Sequence, residues 1–305
     1  VDATGDGDLS WHAGAEYELG RREDGLCSAP TLMFRICNVD YEKLLAYLDD
    51  NPEDLLGYEV HDTAELRECL YGDPPKYAYF GRFQKLIKRV AAERPLTEWE
   101  EQVLTQRDGI LFFNLPGNNQ VLVNSTRIPR VTGVDGKQLS DAMIEGRRQA
   151  WFVFEILQKY LPGMENAYIG DTAAQMGVRE SRRIVGEYQL TEEDVLGAAR
   201  FDDVIVRNTG GVEIHNPAGG GTKFVRLKPG EWYDVPLRST IVKGLANLFV
   251  CGRCFSATHA ALSAARSIGF CLGLGQGVGT AAALAVDLPD VRGVDVREVQ
   301  RRIEY

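Results

Sequence analysis

Apolar positions are densest near the end of the chain, where NLFVCGRCFSATHAALSAARSIGFCLGLGQGVGTAAALA runs from Asn247 to Ala285. Leu248, Phe249 and Val250 predict a short buried strand, and Gly252 with Arg253 predicts the turn that leaves it. Ser267 to Ala285 is almost wholly small and apolar and predicts a helix. Within it Gly269, Gly273 and Gly277 recur every four residues, and Gly275 and Gly279 do so one strip over. Each glycine in a helix interior costs about 1 kcal/mol relative to alanine. Repeated glycine therefore points to close approach by other backbone or by a flat ligand. A buried packing helix is the plain alternative. A membrane span is disfavoured, because Arg266 and Gln276 interrupt the apolar run from Ala260 and a span needs about 20 predominantly apolar residues.

The rest of the chain reads as alternating short elements. Val1 to Ala3 look like the end of a strand, and Thr4-Gly5-Asp6-Gly7-Asp8 like a turn whose N–H groups can face an anion. A strand is expected over 31–36, and helices over 41–48, 64–70 and 83–92. Thr97 and Glu100 form a capping-box pattern opening a helix over 97–105. Two β-rich runs, 110–115 and 120–124, flank Pro116-Gly117-Asn118-Asn119 and predict a hairpin. A long helix is expected over 137–160, with Ile144, Trp151, Phe152, Phe154, Ile156 and Leu157 on its apolar side and Pro162-Gly163 as its stop. Thr191 and Asp194 cap a short helix, and strands follow at 204–206, 212–215, 223–227 and 232–235. No internal repeat or low-complexity tract is visible.

Both chain ends thus resemble parts of one nucleotide-binding layer. The expected fold is α/β: a partial nucleotide-binding, Rossmann-like domain formed by 1–30 and 237–305, with an inserted α+β substrate module over 31–236. A length of 305 residues suits one large or two modest domains. The net charge of −10 argues against a nucleic-acid partner, which would require a basic stripe. Six scattered cysteines do not form a disulfide framework, so a reducing, cytoplasmic setting is expected. No signal peptide is visible, and the chain opens on Val1 as though a strand had been cut, which suggests a fragment or a processed product.

Local chemistry motifs are sparse. No G-x-G-x-x-G follows a predicted strand; Gly273–Gly279 comes nearest but lies inside a helix. Cys251-x-x-Cys254 is a lone pair, better explained by buried packing than by a metal or a thioredoxin-like site. Arg179, Arg182 and Arg183 surround Glu180 and read most simply as a solvated, internally paired face. Lining a cleft, they would suit carboxylate or phosphate. His12 and His61 have polar surroundings and are expected at the surface. His215 ends a strand and His259 precedes the glycine helix, where catalytic groups collect, although a lone histidine is more often structural.

Together, GEYQLTEEDV, EIHNPAGGGT, YDVPLRS, NLFVCGRCFSATHAA and the glycine helix resemble the C-terminal portion of FAD-dependent oxidoreductases with a glutathione-reductase-like flavin fold, and DATGDGDL is similar to that family's second FAD-contact motif. The likeness runs from Val1 to about Val286, with the motifs in the family's order. The family's first strand and its glycine-rich turn belong upstream of DATGDGDL and are absent here. The resemblance implies FAD, with Thr4, Gly5 and Asp6 near the dinucleotide and Gly252, Arg253, Ser267 and Ile268 near the flavin. A helix N-terminus there, carrying roughly half a positive charge, would suit the flavin's N1–C2=O edge. A related group, the heterodisulfide-reductase flavoprotein subunits, works with iron–sulfur clusters, for which this chain shows no ligand set.

The expected function is hydride transfer between flavin and a small polar or anionic substrate. His215 and His259 are the candidates for proton transfer, and Arg182 and Arg253 for holding an anionic group. The rivals are an electron-transfer subunit passing electrons to a partner's clusters and a non-catalytic binding module.

Overall fold

The computed structural model describes residues 1–55 and 62–304, so His61 lies outside the described residues. The architecture is mixed α/β, with two hydrophobic cores. The first is built from residues between Phe34 and Ala167, and the second from Ala15 together with residues between Ile184 and Val299. The stretch from Ile184 to Leu237 shares this second core with the glycine helix.

Strands β1 (Tyr17–Leu19) and β7 (Arg182–Ile184) pair antiparallel. The first core is organised on an antiparallel five-stranded sheet ordered β3-β4-β5-β2-β6, where β2 is Phe34–Cys37, β3 Tyr79–Phe80, β4 Phe112–Asn114, β5 Gln120–Val123 and β6 Tyr168–Thr172. The predicted hairpin is β4–β5, with Phe112 opposite Val123. In the second core β8 (Val204–Asn208) pairs with β11 (Tyr233–Pro236), and β9 (Val212–His215) with β10 (Thr222–Val225).

Local signals fix the helix starts. Thr97 with Glu100 and Thr191 with Asp194 each form a complete capping box. The long helix spans Gly136–Tyr160, with the Asp135 carboxylate accepting from the N–H groups of Lys137 and Gln138. Its buried stripe is Ala142, Gly146, Gln149, Ala150, Val153 and Leu157, which follows the helical period. Ile144 and Trp151, expected on the apolar side, are instead exposed, because they fall off that stripe.

The arginine cluster also departs from its simplest expectation. It is not a solvated face: Glu180 and Arg183 are 1% and 2% exposed, and Ser181 and Arg182 are buried. Strand alternation explains this, since β7 sends Arg183 toward Glu18 of β1 and Arg182 the opposite way.

The glycine helix spans Ile268–Leu284 after a Ser267 cap. Close approach occurs at Gly273 and Gly277, where a Cβ would lie 2.9 Å from Val206 Cγ2 and 2.9 Å from Ile205 Cβ respectively. The glycines thus let β8 lie flat on the helix. At Gly269 and Gly279 a Cβ would meet nothing within 4 Å, so these two are not packing glycines. No described helix is long and apolar enough to cross a membrane.

Candidate functional site

The chain ends meet directly. Asp2 bridges Val250 in parallel, its N–H donating to Phe249 O at 2.7 Å while Cys251 N–H donates to Asp2 O at 2.8 Å. The buried Asp2 carboxylate then shapes the turn: it accepts from the Thr4 hydroxyl at 2.7 Å, the Ser10 hydroxyl at 2.6 Å and the N–H groups of both residues. Desolvation pushes its pKa upward, but the Ser10 and Thr4 hydrogen bonds outweigh it and hold the carboxyl below its usual value.

Gly5, at φ +82°, carries the Arg253 guanidinium against its backbone; a Cβ there would lie 2.5 Å from Arg253 Nη1. Arg253 Nη2 donates to Asp6 Oδ1 at 2.5 Å. Gly252 turns at φ +86° with nothing within 4 Å of a notional Cβ. The Arg253 charge also acts on Cys271, one turn into the glycine helix, against the upward shift that burial gives the thiol. Thr4, Gly5, Asp6, Gly252 and Arg253 therefore converge. Ser267 caps Phe270 N–H, while Ile268 is 81% exposed. Ser267 and Gly269 border a cleft of about 540 Å³ with Asn208 and Trp232.

Arg182 braces this loop from the other side. Its Nη1 donates to Asp6 O at 3.0 Å and to Asp8 Oδ1 at 2.6 Å, and its guanidinium lies 4.7 Å from the Trp11 ring centre. The structure does not bring it beside either histidine.

His215 belongs to a different cavity, of about 680 Å³, bordered by Arg107, Arg179, Arg226, Lys228 and Arg266. Among the described residues of the lining, the carboxylates are Glu213 and Glu231. The Arg179 and Arg266 guanidiniums are both held below the usual arginine range, first by desolvation; at Arg179 the charges of Arg266 and Arg107 add to it. Arg179 Nη1 donates to Ala29 O at 2.6 Å, whereas Arg266 Nε is buried without a hydrogen-bond partner.

Geometry fixes the His215 tautomer. Arginine can only donate, so Arg127 Nη2, at 2.5 Å, makes Nδ1 the acceptor. The ring proton is then on Nε2, 3.2 Å from Glu213 Oε1. Desolvation, followed by the charges of Arg179, Arg127, Arg107 and Arg266, holds His215 neutral, far below the ordinary imidazole value. The unfolded imidazole gains a proton below about pH 6.5 and the folded one does not, so stability is full above that pH and falls on acidification. The loss approaches about 1.4 kcal/mol per pH unit below the unfolded value. Denaturation at pH 7.5 and 5.5 should show a smaller acid loss in His215→Gln than in the parent; equal losses would refute this assignment.

His259 opens the helix His259–Ala264 behind the Thr258 cap. It borders another cleft, of about 1120 Å³, with Glu18, Arg183 and Lys223. Its Nδ1 lies 2.8 Å from Glu180 Oε2, an ion-pair distance, but neither ring nitrogen has an aligned hydrogen-bond partner among the described residues. Alternation along β9 separates the histidines: Glu213 and His215 face the arginine cavity, Ile214 and Asn216 the other cleft.

Cys251 and Cys254 are buried, and burial, followed by the charge of Asp2, pushes the Cys254 thiol up to about 12. That is the state of packing cysteines. Among the described residues no group of three or more His, Cys, Asp or Glu side chains could hold a metal ion.

Sequence reasoning missed Arg107, Arg127, Glu213 and Arg266. Only Arg266 carried a local signal, as the lone charge interrupting an apolar run.

The residues at the chain-end junction fit a dinucleotide. The open left-handed turn at Gly252 leaves room for close backbone approach, the glycine helix presents its N-terminus, and Arg253 Nε is buried without a partner. These features suit a nucleotide cofactor, and the architecture is mixed α/β. The family model described as FAD dependent oxidoreductase matches residues 1–303, and the chain belongs to that family. No curated protein and no solved structure matches it. It is an FAD-dependent oxidoreductase, with FAD as the cofactor.

Proposed function

We propose that this oxidoreductase acts on a small anionic molecule held in the arginine cavity. The carrying observation is one cavity bordered by Arg179 and Arg266, whose guanidiniums burial holds below the usual arginine range, in a chain whose net charge is −10. When bound, FAD supplies the hydride-accepting and hydride-donating chemistry. Thr4, Gly5, Asp6, Gly252, Arg253, Ser267 and Ile268 are our candidates for holding it, within a Rossmann-like layer to which both chain ends contribute.

The protein's own contribution is binding and proton placement. Arg179 and Arg266 orient the anion, and desolvation strengthens that attraction. Glu213 is the carboxylate positioned to exchange a proton with the ligand, and the Nε2–H of His215 fixes its orientation. Arg182 and His259 act elsewhere: Arg182 supports the Asp6–Asp8 loop, and His259 faces the second cleft.

Anaerobic loss of the flavin's visible absorbance, followed with small carboxylates and their neutral amides, tests this reading. Carboxylates should bleach the flavin and the amides should not. Arg266→Gln should raise the KM for the active acid by about 30-fold or more, the scale of a buried charge pair at roughly 2 kcal/mol. Equal turnover of acid and amide would sink the proposal.

A further inference from the structure

We propose that Thr209 is a specificity-determining residue: the substrate meets the flavin beside its side chain, so the bulk at this position sets which molecules can react. The inference rests on the reading that the arginine cavity holds the substrate and the cleft at the start of the glycine helix holds the flavin. These two spaces are neighbours. Arg266 borders the cavity and Ser267 the cleft; in the same way Glu231 borders the cavity and Trp232 the cleft. Consecutive Cα atoms lie about 3.8 Å apart, so at both places the partition is a single residue thick. Thr209, on the turn between β8 and β9, is exposed and borders both spaces.

The turn holds this side chain in a fixed place. Asn208 Nδ2 donates to the Tyr233 hydroxyl at 2.6 Å and to Ala264 O at 2.9 Å, while Asn208 Oδ1 accepts from Gly210 N–H at 3.2 Å. Gly210 lets the turn approach this closely, since a Cβ there would stand 2.6 Å from the same Ala264 O. Ala264 ends the helix that begins at His259, two residues before Arg266. Residue 209 is therefore anchored to the segment that carries Arg266 and Ser267. Threonine is branched at Cβ and restricted at χ1. It forms a small, stiff obstacle at the border, and a larger side chain there would project into the path between the bound anion and the flavin.

Thr209→Cys in the flavin-loaded protein tests this, with the parent treated alike to account for its own cysteines. The new thiol is labelled with a methyl or a benzyl methanethiosulfonate after the flavin is in place, so folding and cofactor loading precede the change in bulk. The tightest binding of acetate, glycolate and succinate should slow labelling, and its neutral amide should not. After labelling, the benzyl form should bleach its flavin at least about tenfold more slowly than the methyl form, the scale of a steric misfit in a substrate site. Thr209→Trp should show the same loss. Labelling indifferent to acids and amides alike, or equal bleaching after both labels, would overturn the assignment, as would a thiol at 209 that neither reagent reaches. Equal bleaching by acid and amide, both slower after the benzyl label, would refute the anion reading and leave Thr209 in its role. Acid-selective bleaching that ignores label size would do the reverse.

Discussion

Replacing Glu180 with alanine is expected to cost about 3–5 kcal/mol, the scale for breaking a buried ion pair from one side. Glu180 is 1% exposed and pairs with Arg183, which is 2% exposed. Its other oxygen accepts from Ser28 N–H at 2.7 Å, fastening the segment before β2 to the approach to β7. Arg183 also donates to Gly20 O at 2.8 Å and Ala257 O at 2.9 Å, so it is held in place and cannot turn to solvent. Alanine therefore leaves a fixed guanidinium short of compensation and a buried N–H without its acceptor. Glu18, 3.2 Å from Arg183 Nη2, offsets part of the charge and none of the lost Ser28 bond. Denaturant titration of Glu180→Ala measures the loss, and the paired change Glu180→Leu with Arg183→Met should recover a large part of it, because the buried charge is then gone. A loss below about 1 kcal/mol for the single variant would mean that water reaches the pair.

This ion pair also marks what a single sequence could convey. The helices were legible because period and caps are local: Thr97 with Glu100 and Thr191 with Asp194 sit three residues from their partners. β7 was not legible, since two of its three residues are arginines and their burial depends on Glu18, Gly20 and Ala257, remote in the chain. β6 escaped as an edge strand with largely exposed side chains, which supplies no apolar alternation. The site followed the same rule. His215 could be singled out as a strand end, yet the cavity around it collects Arg107, Arg179 and Arg266 from three separate segments, and no spacing records that meeting. The meeting of Asp2 with Val250 was anticipated only because both ends carried strand-and-turn patterns.

The glycine helix yields a sharper result, because two glycines of one four-residue series should respond with opposite signs. At Gly277 a Cβ would lie 2.9 Å from Ile205 Cβ and 3.1 Å from Ile205 O, and Ile205 belongs to a paired strand of the second core. Neither atom can swing aside as the tip of a flexible side chain could. Gly277→Leu must therefore push β8 off the helix, at a cost of about 1–3 kcal/mol or more, exceeding the roughly 1 kcal/mol that helix propensity returns. At Gly269 the same space is open, so Gly269→Ala should stabilise the protein without cofactor by up to about 1 kcal/mol. Its methyl would stand at the helix end bordering the cleft of Asn208 and Trp232, where the flavin is expected. Flavin retention after gel filtration should therefore fall in Gly269→Ala even as its melting temperature holds or rises, while Gly277→Leu should melt several degrees lower, at about 2–4 °C per kcal/mol. An unchanged melting temperature for Gly277→Leu would show that the strand is free to shift. Full flavin retention by Gly269→Ala would remove the cofactor from that end of the helix and leave the glycines there without a steric role.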